Sequence, residues 1–186
     1  KKNKIYLFDD KKKNLFKANQ IKKIHLDAII ISPGIDIQKC KLSKYLKENS
    51  DIIYTDLDVF YSFNRNQFIT ITGTNGKSTT CKLLYEVLKK QKFDVRLGGN
   101  IGKPILSFRK FNKKTLFVIE ASSYQLEYSK LFKSRYAAIL NISPDHLERH
   151  KTIQKYVNAK FKLLDNQSKN SFGLINKNDK RIMSKI

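Results

Sequence analysis

Between Gly73 and Thr79 the chain reads Gly-Thr-Asn-Gly-Lys-Ser-Thr, after a β-branched run and before a helix-like stretch. Glycines let a backbone curl until consecutive N–H groups face one anion, and the positive end of the following helix adds to that pull. In such a cradle Lys77 reaches the β- and γ-phosphates of a nucleotide and the Ser78 hydroxyl meets magnesium. Gly73 and Gly76 enclose two residues where the general P-loop has four, so the pattern alone leaves an ordinary capped helix start open beside the nucleotide site. Glu120 closes the apolar run Leu116–Ile119 and should emerge at the carboxyl end of a sheet, where open α/β sheets bind ligands, either as a metal ligand or simply reaching solvent. His146 follows Ser143-Pro144, read as a helix N-cap and first helical position; its imidazole can bind magnesium, polarise a substrate group or be structural. Lys160 falls within the apolar stripe of Ile153, Tyr156, Val157, Phe161 and Leu164, whereas Lys155 and Lys162 fall outside it. A lysine so placed either snorkels to the rim or is held for chemistry.

These residues need a frame. Short apolar runs at 4–10, 27–32, 67–73, 115–121, 136–143 and 171–176 read as strands, near-continuously apolar as in a sheet covered on both faces. Helix-period segments lie at 40–49, 77–92 and 152–166, the second with Leu83, Leu84, Val87 and Leu88 as its apolar face. The alternation predicts an α/β fold with parallel, doubly wound sheets. A seam near 56–67 divides the chain into units 1–57 and 58–186. Gly98, Gly99 and Gly102 surround Asn100 in a stretch expected to be a flexible loop, where a turn asparagine is the default.

Composition bounds the function classes. With 186 residues, 40% of them hydrophobic, the chain can bury a core. Its 38 Lys and Arg against 16 Asp and Glu give a formal charge of +22, but lysine supplies the excess and is scattered, with Lys11–Lys13 the one run. That favours a lysine-rich solvated surface over a nucleic-acid-binding P-loop ATPase, which remains the rival from another class. No apolar run approaches the roughly 20 residues of a membrane helix and no charged-then-apolar leader opens the chain, so a soluble, cytoplasmic protein without membrane or nucleic-acid partners is expected, as a monomer. Cys40 and Cys81 lie far apart without metal spacing and read as free thiols. The chain opens on Lys1 and stops in "NKNDKRIMSKI", and is expected to be a piece of a longer protein.

The loop "GTNGKST" resembles that of the Mur ligases and folylpolyglutamate synthetases, which form amide bonds through an acyl phosphate. Also similar, in family order, are "GGNIGKP" at 98–104, "EASSYQLE" at 120–127, "LNISPDHLERH" at 140–150 and "YVNAKFKLL" at 156–164. The serine-aromatic-glutamine-leucine-glutamate run points within the Mur ligases to the member that adds D-glutamate to UDP-N-acetylmuramoyl-L-alanine in peptidoglycan precursor synthesis; a sister Mur ligase or a folylpolyglutamate synthetase-like ligase with another amino acid is the alternative. "LFDD" and "ISPGI" at 31–35 resemble the nucleotide-sugar domain, whose glycine-rich first turn is not seen.

The resemblance implies a partial Rossmann-like UDP-sugar domain at 1–57 and a P-loop ATPase-type central domain at 58–186, incomplete at its end and lacking a third domain, so that this chain alone is inactive. It implies ATP held by Gly73, Thr74, Asn75, Gly76, Lys77, Ser78 and Thr79, with one magnesium on Ser78 and Glu120 and a second on His146 and a carbamylated Lys160. Lys77, Glu120, His146 and Lys160 would be catalytic. Asn100 and His146 would contact the sugar-peptide substrate, Asp9 the uracil side, and Ser32, Pro33 and Gly34 the diphosphate.

Overall fold

The computed structural model describes residues 3–12 and 15–186; Lys1, Lys2, Lys13 and Asn14 lie outside them, so the Lys11–Lys13 run is described only through Lys12. Two parallel sheets are present. The smaller pairs β1 (Ile29–Ile30) with β2 (Ile53–Tyr54) and is accompanied by α1 (Ala18–Ile21) and α2 (Ser43–Glu48), around a core of Ile21, Ile31, Ile37, Leu42, Leu46 and Ile53. After α3 (Asp56–Phe63) comes the larger sheet of β3 (Phe68–Thr72), β4 (Val95–Gly99), β5 (Leu116–Glu120), β6 (Tyr136–Ile139) and β7 (Phe172–Ile175). Its order is β4-β5-β3-β6-β7, every neighbour parallel.

The connections are α4 (Lys77–Lys90), α5 (Ser123–Glu127), α6 (Leu147–His150) and α7 (Ile153–Asp165), with α8 (Lys180–Met183) following β7. Both faces of the sheet are covered, which explains its continuous apolar strands. Phe68, Phe117 and Ile119 pack on one side with Phe60, Leu126 and Phe132; Ile71, Val95 and Val118 pack on the other with Cys81 of α4. Each such large side chain removed from water contributes about 1.5–3 kcal/mol. The edge strand β7 is covered less, with Phe172 and Leu174 59% and 68% exposed and Phe172 stacked on Tyr136.

Several expectations need correction. Residues 4–10 form no strand: Tyr6 and Phe8 pack on the smaller core while Ile5 and Leu7 face outward, and among the described residues no neighbouring strand supplies a ladder. The inward face of α4 is Cys81, Leu84, Tyr85 and Leu88, at the i, i+3, i+4, i+7 spacing of a buried stripe, and Leu83 and Val87 are exposed. The stretch expected to be a flexible glycine loop is in part β4: a Cβ at Gly99 would lie 2.3 Å from the Glu120 carbonyl oxygen and one at Gly98 2.6 Å from the Lys103 carbonyl oxygen. Those glycines permit close backbone approach. Both cysteines are free; burial, reinforced by Glu120, pushes the Cys81 thiol up to about 12.

The 57/58 division falls inside α3, whose Leu57 and Phe60 belong to the core of the larger sheet. Thr55 caps this helix and pairs reciprocally with Asp58. The Asp58 carboxylate is 1% exposed. Its Oδ2 accepts from Thr55 N (2.9 Å), and its Oδ1 from Ser129 Oγ (2.9 Å) and the amides of Lys130 (3.0 Å), Leu131 (2.8 Å) and Phe132 (3.0 Å). One side chain thus ties the start of α3 to the loop before β6. Asp58→Ala leaves several buried donors without a partner and should destabilise the chain by on the order of 3 kcal/mol, read from the midpoint shift in urea unfolding; a shift below about 1 kcal/mol would show that the loop holds itself.

Candidate active site

Four of the chain segments that meet at the site leave the carboxyl edge of the larger sheet, Gly73 after β3, Asn100 after β4, Glu120 at the end of β5 and Asn141 after β6, and α7 adds a fifth. β3 lies between β5 and β6, so the chain winds to opposite sides of it, the switch point at which such sheets bind ligands. Gly76, at φ 80°, caps the 14-residue α4 in the left-handed region. Thr74 N donates to Asn141 O (2.9 Å), Asn75 N to Asn141 Oδ1 (2.9 Å), and Asn141 Nδ2 to Asn75 O (3.0 Å). Lys77 Nζ donates to Thr74 O (2.7 Å), and Thr79 is exposed in the first turn of α4.

Glu120 does not reach solvent; it is 1% exposed. Its Oε2 accepts from Ser78 Oγ (2.7 Å) and its Oε1 from Asn100 Nδ2 (2.8 Å), while Asn100 N also donates to Glu120 O (2.8 Å). Asn100 is therefore not a free turn residue: it holds the carboxylate from the side opposite the loop.

Lys160 does not snorkel. It is 2% exposed on α7, and its Nζ donates to Gly73 O (2.8 Å). Burial, with the nearby Lys77 charge second, lowers its pKa to about 7. The ammonium lies 4.4 Å from the centre of the Tyr156 ring, and the Tyr156 hydroxyl is 3.1 Å from Thr74 Oγ1. Tyr156 also faces His146, ring centres 6.3 Å apart. His146 is itself the N-cap of α6, in the left-handed region at φ 51°, so Ser143-Pro144 are not the cap and first turn expected. Thr74 Oγ1 instead accepts from Ser143 N (3.0 Å), which keeps that segment out of the helix. His146 Nε2 lies 3.4 Å from Asp145 Oδ2, with the side chain 44% exposed. A histidine in this conformation is uncommon and is held by its surroundings.

A family model described as the Mur ligase middle domain matches residues 71–186, the stretch that carries this whole constellation. The chain belongs to the Mur ligase family. It is 38% identical over 166 residues to the UDP-N-acetylmuramoylalanine--D-glutamate ligase of Rickettsia bellii (strain RML369-C), covering 89% of this chain and 36% of the relative. To the ligase of the same name from Caldicellulosiruptor bescii it is 40% identical over 150 residues, 80% of this chain and 33% of the relative. The chain thus spans about a third of the length of these relatives. Among solved structures, UDP-N-acetylmuramate:L-alanyl-gamma-D-glutamyl-meso-diaminopimelate ligase from Neisseria meningitides shares the fold at a TM-score of 0.59, with 16% identity over 91% of this chain and 57% of that one. So does MurF ligase from Thermotoga maritima, solved in complex with ADP, at 0.55, with 22% identity over 73% of this chain and 36% of that one.

In this Mur ligase chain the structure gathers Lys77, Ser78, Glu120, Asn100 and Lys160 around the glycine loop, with His146 joined through Tyr156. Asp9, Ser32, Pro33 and Gly34 stand apart. Asp9 and Ser32 line a cavity of about 450 Å³ whose described lining comes wholly from residues 4–46, Asp9 Oδ1 accepts from Lys11 N (2.8 Å), and Pro33-Gly34 form the turn after Ser32. Sequence reasoning missed Asn141, Tyr156 and His150. Tyr156 had a signal, being an aromatic with a hydroxyl in the same stripe as Lys160. His150, 2% exposed, meets Ser123 Oγ at 3.0 Å, and burial first of all lowers its pKa.

The depressed Lys160 pKa has a definite sign in stability. Between pH about 7 and the ordinary 10.5 the unfolded chain holds a proton that the folded chain lacks, so stability tied to this lysine rises as pH increases through that window. In buffers freed of carbon dioxide, Lys160→Met should be more stable than the unsubstituted chain near pH 7, and the gap should shrink steadily toward pH 10.5. A gap constant with pH in paired urea titrations would place the lysine in a solvated setting.

Proposed function

We propose that the complete protein carrying this chain is an ATP-dependent ligase that joins D-glutamate to UDP-N-acetylmuramoyl-L-alanine in the cytoplasm. The observation that carries this reading is the pair of ammonium groups, Lys77 and Lys160, set on consecutive carbonyls of a glycine loop at a helix N-terminus, beside the buried Glu120. Such a turn suits an anion. The relatives' printed names supply the substrates. The smaller unit, with Asp9, Ser32, Pro33 and Gly34 about its cavity, is the proposed seat of the UDP-sugar.

The residues fit one magnesium ion. Ser78 and Glu120 offer hard oxygen donors, and both Glu120 oxygens are held by neutral groups, with no ion pair to the carboxylate among the described residues. Lys160 as an ammonium does not suit a second cation; a carbamate on its nitrogen would, and a pKa near 7 leaves the neutral amine that carbamylation needs. Bound magnesium supplies charge neutralisation for phosphoryl transfer.

In the proposed reaction the loop amides and Lys77 grip the β- and γ-phosphates while an oxygen of the substrate carboxylate attacks the γ-phosphorus. ADP leaves and an acyl phosphate forms. The D-glutamate amine then attacks the acyl carbon, loses a proton and expels orthophosphate. Asn100 keeps Glu120 turned toward Ser78, and His146, partly exposed, would contact the sugar-peptide substrate. ADP release by the complete protein with UDP-N-acetylmuramoyl-L-alanine should rise with D-glutamate and with no other amino acid. Lys77→Ala and Glu120→Gln should each lower kcat by roughly 10²–10³-fold. Release driven by another amino acid would reassign the substrate, and full activity in both variants would remove the mechanism.

A further inference from the structure

We infer that Asn141 is a positioning residue that decides which backbone amides of the glycine loop are left to hold an anion. The inference rests on the nucleotide reading of that loop and adds a residue to which no role has yet been given. Asn141 follows β6 and is half-buried beside the loop. Its carbonyl accepts from Thr74 N, and its carboxamide closes a two-bond ring on Asn75, accepting from the amide and donating to the carbonyl. A strand residue would make the same pair of bonds with its backbone; here a side chain supplies them. The Ser143 amide adds a further bond to Thr74 Oγ1.

The consequence is a division of donors. Thr74 N and Asn75 N point at the segment after β6 and are not available to a ligand. Gly76, at φ 80°, then reverses the chain, and the amides of Gly76, Lys77 and Ser78 begin a helix whose first N–H groups have no partner within it. None of these three donates a hydrogen bond among the described residues. The shortened loop therefore presents its donors from one place, the start of α4, and Asn141 keeps the two preceding amides from competing. A carboxamide can accept from the N–H and donate to the C=O of the same residue here, whereas aspartate accepts only and leucine does neither.

The test joins hydrogen exchange at the loop amides of the nucleotide-free full chain to magnesium-ATP titration of the same chain by calorimetry. In the unsubstituted chain the Asn75 amide should be protected and those of Gly76 and Lys77 fast. In Asn141→Ala the Asn75 amide should exchange roughly tenfold faster and the Kd for ATP should rise about fivefold to tenfold, with the melting midpoint within about 2 °C of the parent. Asn141→Asp should protect Asn75 in part yet bind ATP no better than Asn141→Ala, because it adds a negative charge beside the phosphates. Equal Asn75 exchange in parent and Asn141→Ala overturns the inference. So does an ATP Kd within about twofold of the parent, or a loss of affinity that tracks a falling melting point in both variants. If the unsubstituted chain binds no ATP, the inference falls with the nucleotide reading, and the exchange pattern tells that failure from failure of the clamp.

Discussion

Two ammonium groups on one turn of backbone are the constraint around which this site is arranged. Lys77 reaches Thr74 O from the first turn of α4, and Lys160 reaches Gly73 O from the middle of α7, on opposite faces of the sheet. Carbonyl oxygens satisfy their protons but cannot cancel their charges, and burial makes the repulsion felt. Burial first of all, with the Lys77 charge second, lowers the affinity of Lys160 for its proton, and the Tyr156 ring lies against its nitrogen. An anion in the turn would relieve both lysines at once, and for that reason the loop, the sheet edge and α7 have to be considered as one object.

How much of this could be read beforehand follows from which signals are local. The glycine loop, the strand ending in Glu120 and the α7 stripe holding Lys160 are written in consecutive residues with a clear period, and each stands where the sequence puts it. The tail at 4–10 has strand composition without a partner, since pairing is a property of two segments and only one is visible in a run of residues. β4 was hidden by its own glycines, which mark close approach to β5 and look like looseness. Asn141 was out of reach for a similar reason: its partner Asn75 lies on another strand's loop, and an asparagine after a strand has the look of a turn.

The two sheets communicate through the helix that the sequence suggested as a seam. Besides the Asp58 knot, Gln125 Nε2 of α5 donates to Asp56 Oδ2 (3.1 Å), and Tyr128 packs on the core of the smaller sheet. Burial outweighs that bond and raises the Asp56 pKa. The "SSYQLE" run that singled out one branch of the Mur ligases thus also has an architectural task. Ser122 caps α5, Ser123 meets His150, Gln125 meets Asp56, and Glu127 pairs with Arg149. The motif is a meeting point of segments.

The sparsely covered strand β7 bears on how the chain behaves as a material. Among the described residues β7 ends the sheet, and Phe172 and Leu174 on it are exposed, the kind of border at which an extended segment adds by main-chain pairing. In a concentrated preparation, two such borders meeting would zip molecules together, and the abundant lysine charge is the counterweight that keeps them apart. Raising ionic strength weakens that counterweight, so salt bears on this border, far from the chemistry at the glycine turn.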